Sequence, residues 1–198
     1  MNSIYDFIVK PLDGRYNNKK KIGDVTFITN TKIEDYKSVS KNGVVVATPL
    51  AFDTKIKEGD IVKVHHNVFR RFYDIRGNEK NSRSHIQDDM YACSPEQIYL
   101  YGDNVSHLDY CFVQPVTNDD QWSTQKDRPL TGILKYGNEL LEKENVIPGM
   151  VVGFTPESEF EFVVDSELLY CMKCENIVLA YDNQGNQTEY NPSWTISR

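Results

Sequence analysis

Cys171-Met172-Lys173-Cys174 has the spacing of half a zinc site and is the nearest thing to a metal signature in the chain. A closed tetrahedral site needs four ligands. The other two cysteines, Cys93 and Cys111, stand alone with no histidine at suitable spacing. On a strand, residues three apart face opposite sides, so the two thiols do not converge on one ion. Four free thiols, buried as small apolar groups and joined by no disulfide, are therefore expected. His65-His66 meets the same objection, because adjacent rings on a strand point apart. No Gly-x-Ser-x-Gly elbow, phosphate-binding Gly-rich loop or His-Glu-x-x-His is present, and the acidic residues form no marked pair. The expectation is a protein with no catalytic residue, no metal and no cofactor, and hence not an enzyme.

Two other stretches carry chemistry of recognition. Phe69-Arg70-Arg71-Phe72-Tyr73, followed by Arg76, Lys80 and Arg83, interleaves cations with aromatics. Such a pattern tracks a single strand of nucleic acid by phosphate pairing and base stacking. It equally describes a hairpin over residues 68–85, turning near Gly77-Asn78, with aromatics packed inward and arginines facing solvent or a neighbouring subunit. A formal net charge of −7 on 198 residues favours the second reading and makes nucleic acid an unlikely partner. The other stretch is an apolar island, Ile22-Gly23-Asp24-Val25-Thr26-Phe27-Ile28, inside a polar connection over residues 13–42. Connections of that length are functional or disordered. The alternative is that Val25 to Ile28 is one more strand of the main sheet.

The elements that must hold these stretches repeat. Lys57-Glu58-Gly59-Asp60-Ile61-Val62 is a glycine turn entering a β-branched strand, and Ile147-Pro148-Gly149-Met150-Val151-Val152 repeats it. Ile8-Val9-Lys10-Pro11-Leu12 is answered by Phe112-Val113-Gln114-Pro115-Val116, and Gly43-Val44-Val45-Val46 by Gly132-Ile133-Leu134-Lys135. Tyr91, Glu96, Ile98 and Leu100 are answered by Tyr170, Glu175, Ile177 and Leu179. Four echoes in one order indicate a tandem duplication. The first repeat spans residues 1–103, with its long loop at 13–42 and its insertion at 68–85. The second spans 104–182 with a shortened loop, and a polar tail over 183–198 is expected to be mobile. Nothing reads as a helix longer than two turns, and Glu139 to Lys143 is at most one turn. Short strands with closely spaced turn signals predict an all-β fold of two small barrels. The first residues have neither a basic nor an apolar leader region, and no apolar run is long enough to span a bilayer, so a soluble cytoplasmic protein with no membrane partner is expected.

With the repeats laid out, the chain resembles the GroES-like co-chaperonin family. The likeness rests on Phe7-Ile8-Val9-Lys10-Pro11-Leu12, a long loop, Gly43-Val44-Val45-Val46, Lys57-Glu58-Gly59-Asp60-Ile61-Val62 and Ile98-Tyr99-Leu100, and on the matching segments of the second repeat. It covers residues 5–181. The resemblance implies two tandem GroES-like small β-barrels that build a lid on a GroEL-like chaperonin ring and assist ATP-dependent folding. It places the chaperonin-binding segment of the mobile loop on Ile22, Gly23, Val25, Thr26, Phe27 and Ile28. It also implies a ring-shaped homo-oligomer joined by first and last strands, here Phe7, Ile8, Val9 and Lys10 with Ile98, Tyr99, Leu100 and Tyr101, or their partners in the second repeat. The short Thr48–Lys57 segment, the 68–85 insertion and the absence of an apolar triplet in residues 118–125 depart from simple members. They resemble divergent members in plastids or large bacteriophages, which would place the chain in an organelle stroma or a host cytoplasm. Two competing readings remain. One is a virion or assembly protein that reuses the double barrel as a scaffold without chaperonin binding. The other is a barrel that binds nucleic acid through the Arg-Phe hairpin.

Overall fold

The computed structural model describes residues 2–120 and 122–197, with only the backbone of residues 20–22, 196 and 197. The chain divides into two compact units, residues 1–103 and 104–198. Both are built from antiparallel strands with almost no helix, so the protein is all-β.

Unit one contains β1 (Phe7–Pro11), β2 (Lys19–Ile22), β3 (Val25–Ile28), β4 (Asn42–Ala47) and β5 (Ile61–Val64). It continues with β6 (Arg71–Tyr73), β7 (Glu79–Asn81), β8 (His85–Gln87), β9 (Met90–Cys93) and β10 (Ile98–Tyr101). A two-residue strand, β11 (Val105–Ser106), follows at the start of the next unit. Unit two then contains β12 (Tyr110–Thr117), β13 (Asp127–Tyr136), the single turn α1 (Glu139–Lys143), β14 (Val151–Phe154), β15 (Phe160–Val164), β16 (Glu167–Lys173) and β17 (Ile177–Tyr181).

The main sheet of unit one runs β10-β5-β4-β1-β9-β8, and that of unit two runs β17-β14-β13-β12-β16-β15. These are the same six strands in the same order. The correspondence extends to single residues. Val9 faces Val45 and Tyr91, as Val113 faces Leu134 and Tyr170. Pro11 faces Gly43 and Pro115 faces Gly132, while Val62 and Val152 sit on the other side of those glycines. Even the register shifts match, between Ile8 and Val9 and between Phe112 and Val113. The turn glycines adopt φ of +92° at Gly59 and +96° at Gly149, and each donates its N–H 2.8 Å to the carbonyl of Val45 or Leu134. Among the described residues, hydrogen bonding closes neither sheet into a barrel.

Strand periodicity decides the cores. β4, β5, β9 and β14 alternate, sending Val45, Val62, Val64, Tyr91, Cys93, Val152 and Phe154 inward. Burial of each large side chain stabilises by about 1.5–3 kcal/mol. The two cores exchange volume between facing positions. Phe7 opposite Cys93 in unit one becomes Cys111 opposite Met172 in unit two, so the large partner moves from one strand to the other.

Ile8 and Val9 are paired on both sides, by β4 and β9, and Phe7 by β9, whereas β17, the second-unit counterpart of β10, is the terminal strand of its sheet with Val178, Leu179 and Tyr181 exposed. One expectation is corrected. The tail, expected to be mobile, is docked. Thr117 N–H donates to Thr188 O at 2.7 Å, Tyr190 N–H to Pro115 O at 2.8 Å, and Gln114 Nε2 to Tyr190 O at 3.2 Å. Asn191 then accepts from Leu168 N–H and donates to Ser166 O, and Thr195 is fully buried. β16 pairs with β12 only as far as Val113, which leaves the next stretch of β12 for the tail to cover.

The close approach at Gly132 is testable. A Cβ there would lie 2.4 Å from Val113 Cγ1 and 2.5 Å from Gln114 O, whereas at Gly43 the nearest atom would be 3.2 Å away. Gly132→Ala is expected to cost about 1–3 kcal/mol in a thermal or urea melt. Gly43→Ala is expected to cost less, and equal losses would contradict the packing argument.

Candidate functional site

Apart from the six shared strands, unit one carries two hairpins with no counterpart among the described residues of unit two. β2 and β3 form a separate two-stranded sheet, with Lys19 facing Ile28, Lys20 facing Phe27, Lys21 facing Thr26 and Ile22 facing Val25 across a turn at Gly23-Asp24. Val25 to Ile28 is thus a strand, but not one of the main sheet. Its root is closed by polar contacts. Thr29 N–H donates to Asn18 O, Asn17 N–H to Ser38 O, and Asn18 Nδ2 to Asn30 O, each at 2.8 Å. Tyr16 ties the root to the body, donating its hydroxyl to Ile33 O at 2.7 Å and accepting from Arg71 N–H at 2.9 Å.

Beyond that root the residues of β3 are exposed. Val25, Phe27 and Ile28 are 56%, 51% and 62% exposed, and Thr26 and Gly23 are exposed beside them. The side chain of Ile22 lies outside the described residues. A lone two-stranded sheet has no third layer on which to bury an apolar face. Val25 and Phe27 share one face of β3, and exposed apolar groups placed in this way mark an interaction site.

The second hairpin joins β6 to β7, with Arg71 facing Asn81 and Tyr73 facing Glu79. Only Phe69 packs inward as expected of its aromatics. Phe72 and Tyr73 are exposed, and Ile75 at the tip is wholly so. Two arginines hold the hairpin in place. Arg15 donates from Nε to Phe69 O at 3.1 Å and from Nη1 to Asn81 Oδ1 at 2.9 Å, with its guanidinium 5.3 Å from the Tyr91 ring centre. Arg71 lies over the Tyr16 ring at 4.9 Å and pairs with Glu79 at 2.6 Å. Guanidiniums engaged in this way are committed to the fold, which weakens the case for a phosphate track.

The metal-like residues resolve differently. All four cysteines are free and buried. Cys174 sits in a turn after β16, where Asn138 Nδ2 donates to its sulfur at 3.0 Å. A hydrogen bond from the Cys111 thiol, then that amide, holds the Cys174 pKa below the usual thiol range, while the same bond and burial push Cys111 up. Among the described residues no three His, Cys, Asp or Glu side chains converge as metal ligands, and no helix is long and apolar enough to cross a membrane.

His65 and His66 do not point apart. β5 ends at Val64, the histidines lie in the turn beyond it, and their rings stack at 4.3 Å, with Tyr36 at 5.6 Å from His66. Burial, then His65, Lys41 and Arg70, lowers the His66 pKa to about 4, and burial and Lys41 lower that of His65. Both are therefore neutral at pH 7. Because the unfolded chain binds these protons more readily, the stabilisation is complete above pH about 6.5 and is lost as pH falls toward about 4. The melting temperature is expected to drop across that window, and His66→Gln to flatten the drop. An unchanged pH profile for the variant would contradict this.

Comparison of the chain with protein-family models and with curated proteins finds no match.

Proposed function

We propose that the chain is a co-chaperonin that caps a GroEL-like chaperonin ring, docking through Val25, Phe27 and Ile28 of the β2–β3 hairpin. The observation that carries this reading is the exposed apolar hairpin, set outside a six-strand frame that needs no part of it. On this reading the two open sheets are curled GroES-like barrels serving as lid wall, and the chain acts by closing a chamber, with no bond made or broken.

The energetics favour weak, reversible docking. Three side chains yield roughly 1.5–3 kcal/mol each when fully buried, and here they start about half exposed. Ordering a free loop costs about 1–2 kcal/mol per residue. The β2–β3 ladder and its polar root have already met much of that cost, so a hairpin docks better than a free loop would. One contact remains modest, and several presented together by an oligomer give avidity that a change in nucleotide state can undo. Among the described residues unit two has no matching hairpin. Its loop over residues 118–126 exposes one aromatic, Trp122.

Phe27→Asp places a charge in the docked interface and is expected to abolish ATP-dependent capture by a GroEL-like ring, with the fold intact by circular dichroism. Trp122→Asp is expected to leave capture within about twofold of the starting protein, since it removes one side chain from a loop without apolar companions. Undiminished capture by the Phe27 variant would remove this hairpin from the mechanism. Absence of capture by the unaltered chain would favour the scaffold reading.

A further inference from the structure

Cys111 and Cys174 take no part in the docking hairpin, yet the fold brings them together in one core cluster of unit two. Cys111 lies on β12 opposite Met172, and Cys174 stands two residues beyond Met172, in the turn that follows β16. The residues just before Cys111 hold Cys174 in place. Cys174 N–H donates to Asp109 O at 2.7 Å, and Asn138 Nδ2 donates at 3.0 Å both to Tyr110 O and to Cys174 Sγ. The Cys111 thiol adds a hydrogen bond to the same sulfur. Asn138 is fixed in this orientation, because its Oδ1 accepts from Leu140 N–H and Leu141 N–H at the start of α1. Two donors thus converge on the Cys174 sulfur and favour its thiolate. Burial and the Asp109 carboxylate, itself paired with Lys173 at 3.0 Å, oppose them without reversing the downward shift. The thiols also differ in access. Cys174 is 9% exposed, whereas Cys111 and Cys93 are at 0% and Cys171 at 1%.

We propose that Cys174 and Cys111 form a peroxide-reactive thiol pair, Cys174 taking the oxidant and Cys111 resolving the product into a disulfide within unit two. The Cys174 thiolate attacks one oxygen of hydrogen peroxide, the O–O bond breaks, and a sulfenic acid and hydroxide form. The Cys111 sulfur then attacks the sulfenic sulfur, and its proton leaves with the hydroxyl group as water. The hydroxide takes up the proton that Cys174 lost on ionising. Two thiols and one peroxide therefore give one disulfide and two waters. Asn138 is a positioning residue, holding the sulfur toward Cys111 and supporting its charge. The cross-link ties the first part of β12 to the turn between β16 and β17, the two ends of the frame of unit two. The inference is independent of chaperonin docking, which uses a hairpin of unit one.

Treating the full chain, freed of reductant, with hydrogen peroxide tests this, with thiol labelling, intact mass and peptide mapping as readouts. The wild type is expected to lose two of its four free thiols and to yield a Cys111–Cys174 cross-linked peptide. Cys111→Ser is expected to stop at a sulfenic acid that dimedone traps on Cys174, and Cys174→Ser to give neither product. Circular dichroism checks that each variant folds, and the wild-type map decides the matter where one does not. Asn138→Asp keeps the oxygen that caps α1 but removes the donor at the sulfur. Its thiol loss is expected to slow about tenfold, with the pH dependence displaced upward. The oxidised wild type is expected to melt at a higher temperature than the reduced protein, because the cross-link restricts the unfolded chain. An unchanged rate and pH profile in Asn138→Asp would overturn the role given to Asn138. Four thiols that survive until the chain is denatured, a disulfide through Cys93 or Cys171, or oxidation confined to Met172 would each overturn the proposal. So would disulfides formed only between molecules.

Discussion

The structure depends on the register of one central strand in each unit. β1 and β12 are each held along one edge by the strand carrying Gly43 or Gly132 and along the other by the strand carrying Tyr91 or Tyr170. A slip of one residue would turn Val9 out of its core and bring Lys10, exposed in the native register, toward it. Glycine on the neighbouring strand then lets the backbones approach, most closely at Gly132. With that register set, the turn at Gly59 or Gly149 and the strand it launches have one way to pair, and the last strand follows.

A frame determined so locally tolerates change elsewhere. Connections of unit one hold two hairpins and an ordered polar root, while those of unit two hold one helical turn and a short loop. Both frames keep the same pairings. Residues 1–103 carry 16 Lys and Arg against 14 Asp and Glu, a net +2, whereas residues 104–198 carry 6 against 15, a net −9. This unequal charge follows the same logic, because the frame positions are apolar and charge is free to drift on the surfaces between them. Divergence has made one unit a bearer of projecting hairpins and the other an acidic body with a docked tail.

Much of this was legible in the sequence because the echoes used to align the repeats are the pairing residues themselves. Val9 and Val113, Gly43 and Gly132, Tyr91 and Tyr170 meet as cross-strand neighbours, so their spacing carries the topology. The hairpin at residues 71–81 was legible from its turn. The rest lacked an apolar signature. β2 is three lysines, which are poor strand formers, and one isoleucine, and it is paired by β3 alone. The tail docks through backbone groups, Gln114 and Asn191, and polar contacts of that kind leave no periodicity to read. The stacked His65 and His66 were misjudged because β5 stops at Val64, and strand alternation ceases where the strand does. The inward aromatics expected at 69–73 failed beyond Phe69, since a hairpin that leaves its sheet has no core to face.

Tyr91 and Tyr170 show how the inserted hairpin was accommodated. They occupy the same place beside the central valine. In unit two the Tyr170 hydroxyl donates to Asp127 at 2.9 Å, and burial followed by that carboxylate raises its pKa. In unit one the Tyr91 hydroxyl is buried without a hydrogen-bond partner among the described residues, a defect of about 1–3 kcal/mol. What the ring has instead is the Arg15 guanidinium over its face and Phe69 edge-on at 5.1 Å. A cation over an aromatic ring recovers about 0.5–2 kcal/mol. Arg15 then reaches Phe69 O and Asn81, the two ends of the inserted segment. One tyrosine thus serves its own sheet in unit two and supports the arginine that anchors the added hairpin in unit one. The near balance of defect and gain explains how an insertion of this size sits on the frame without disturbing the register beneath it.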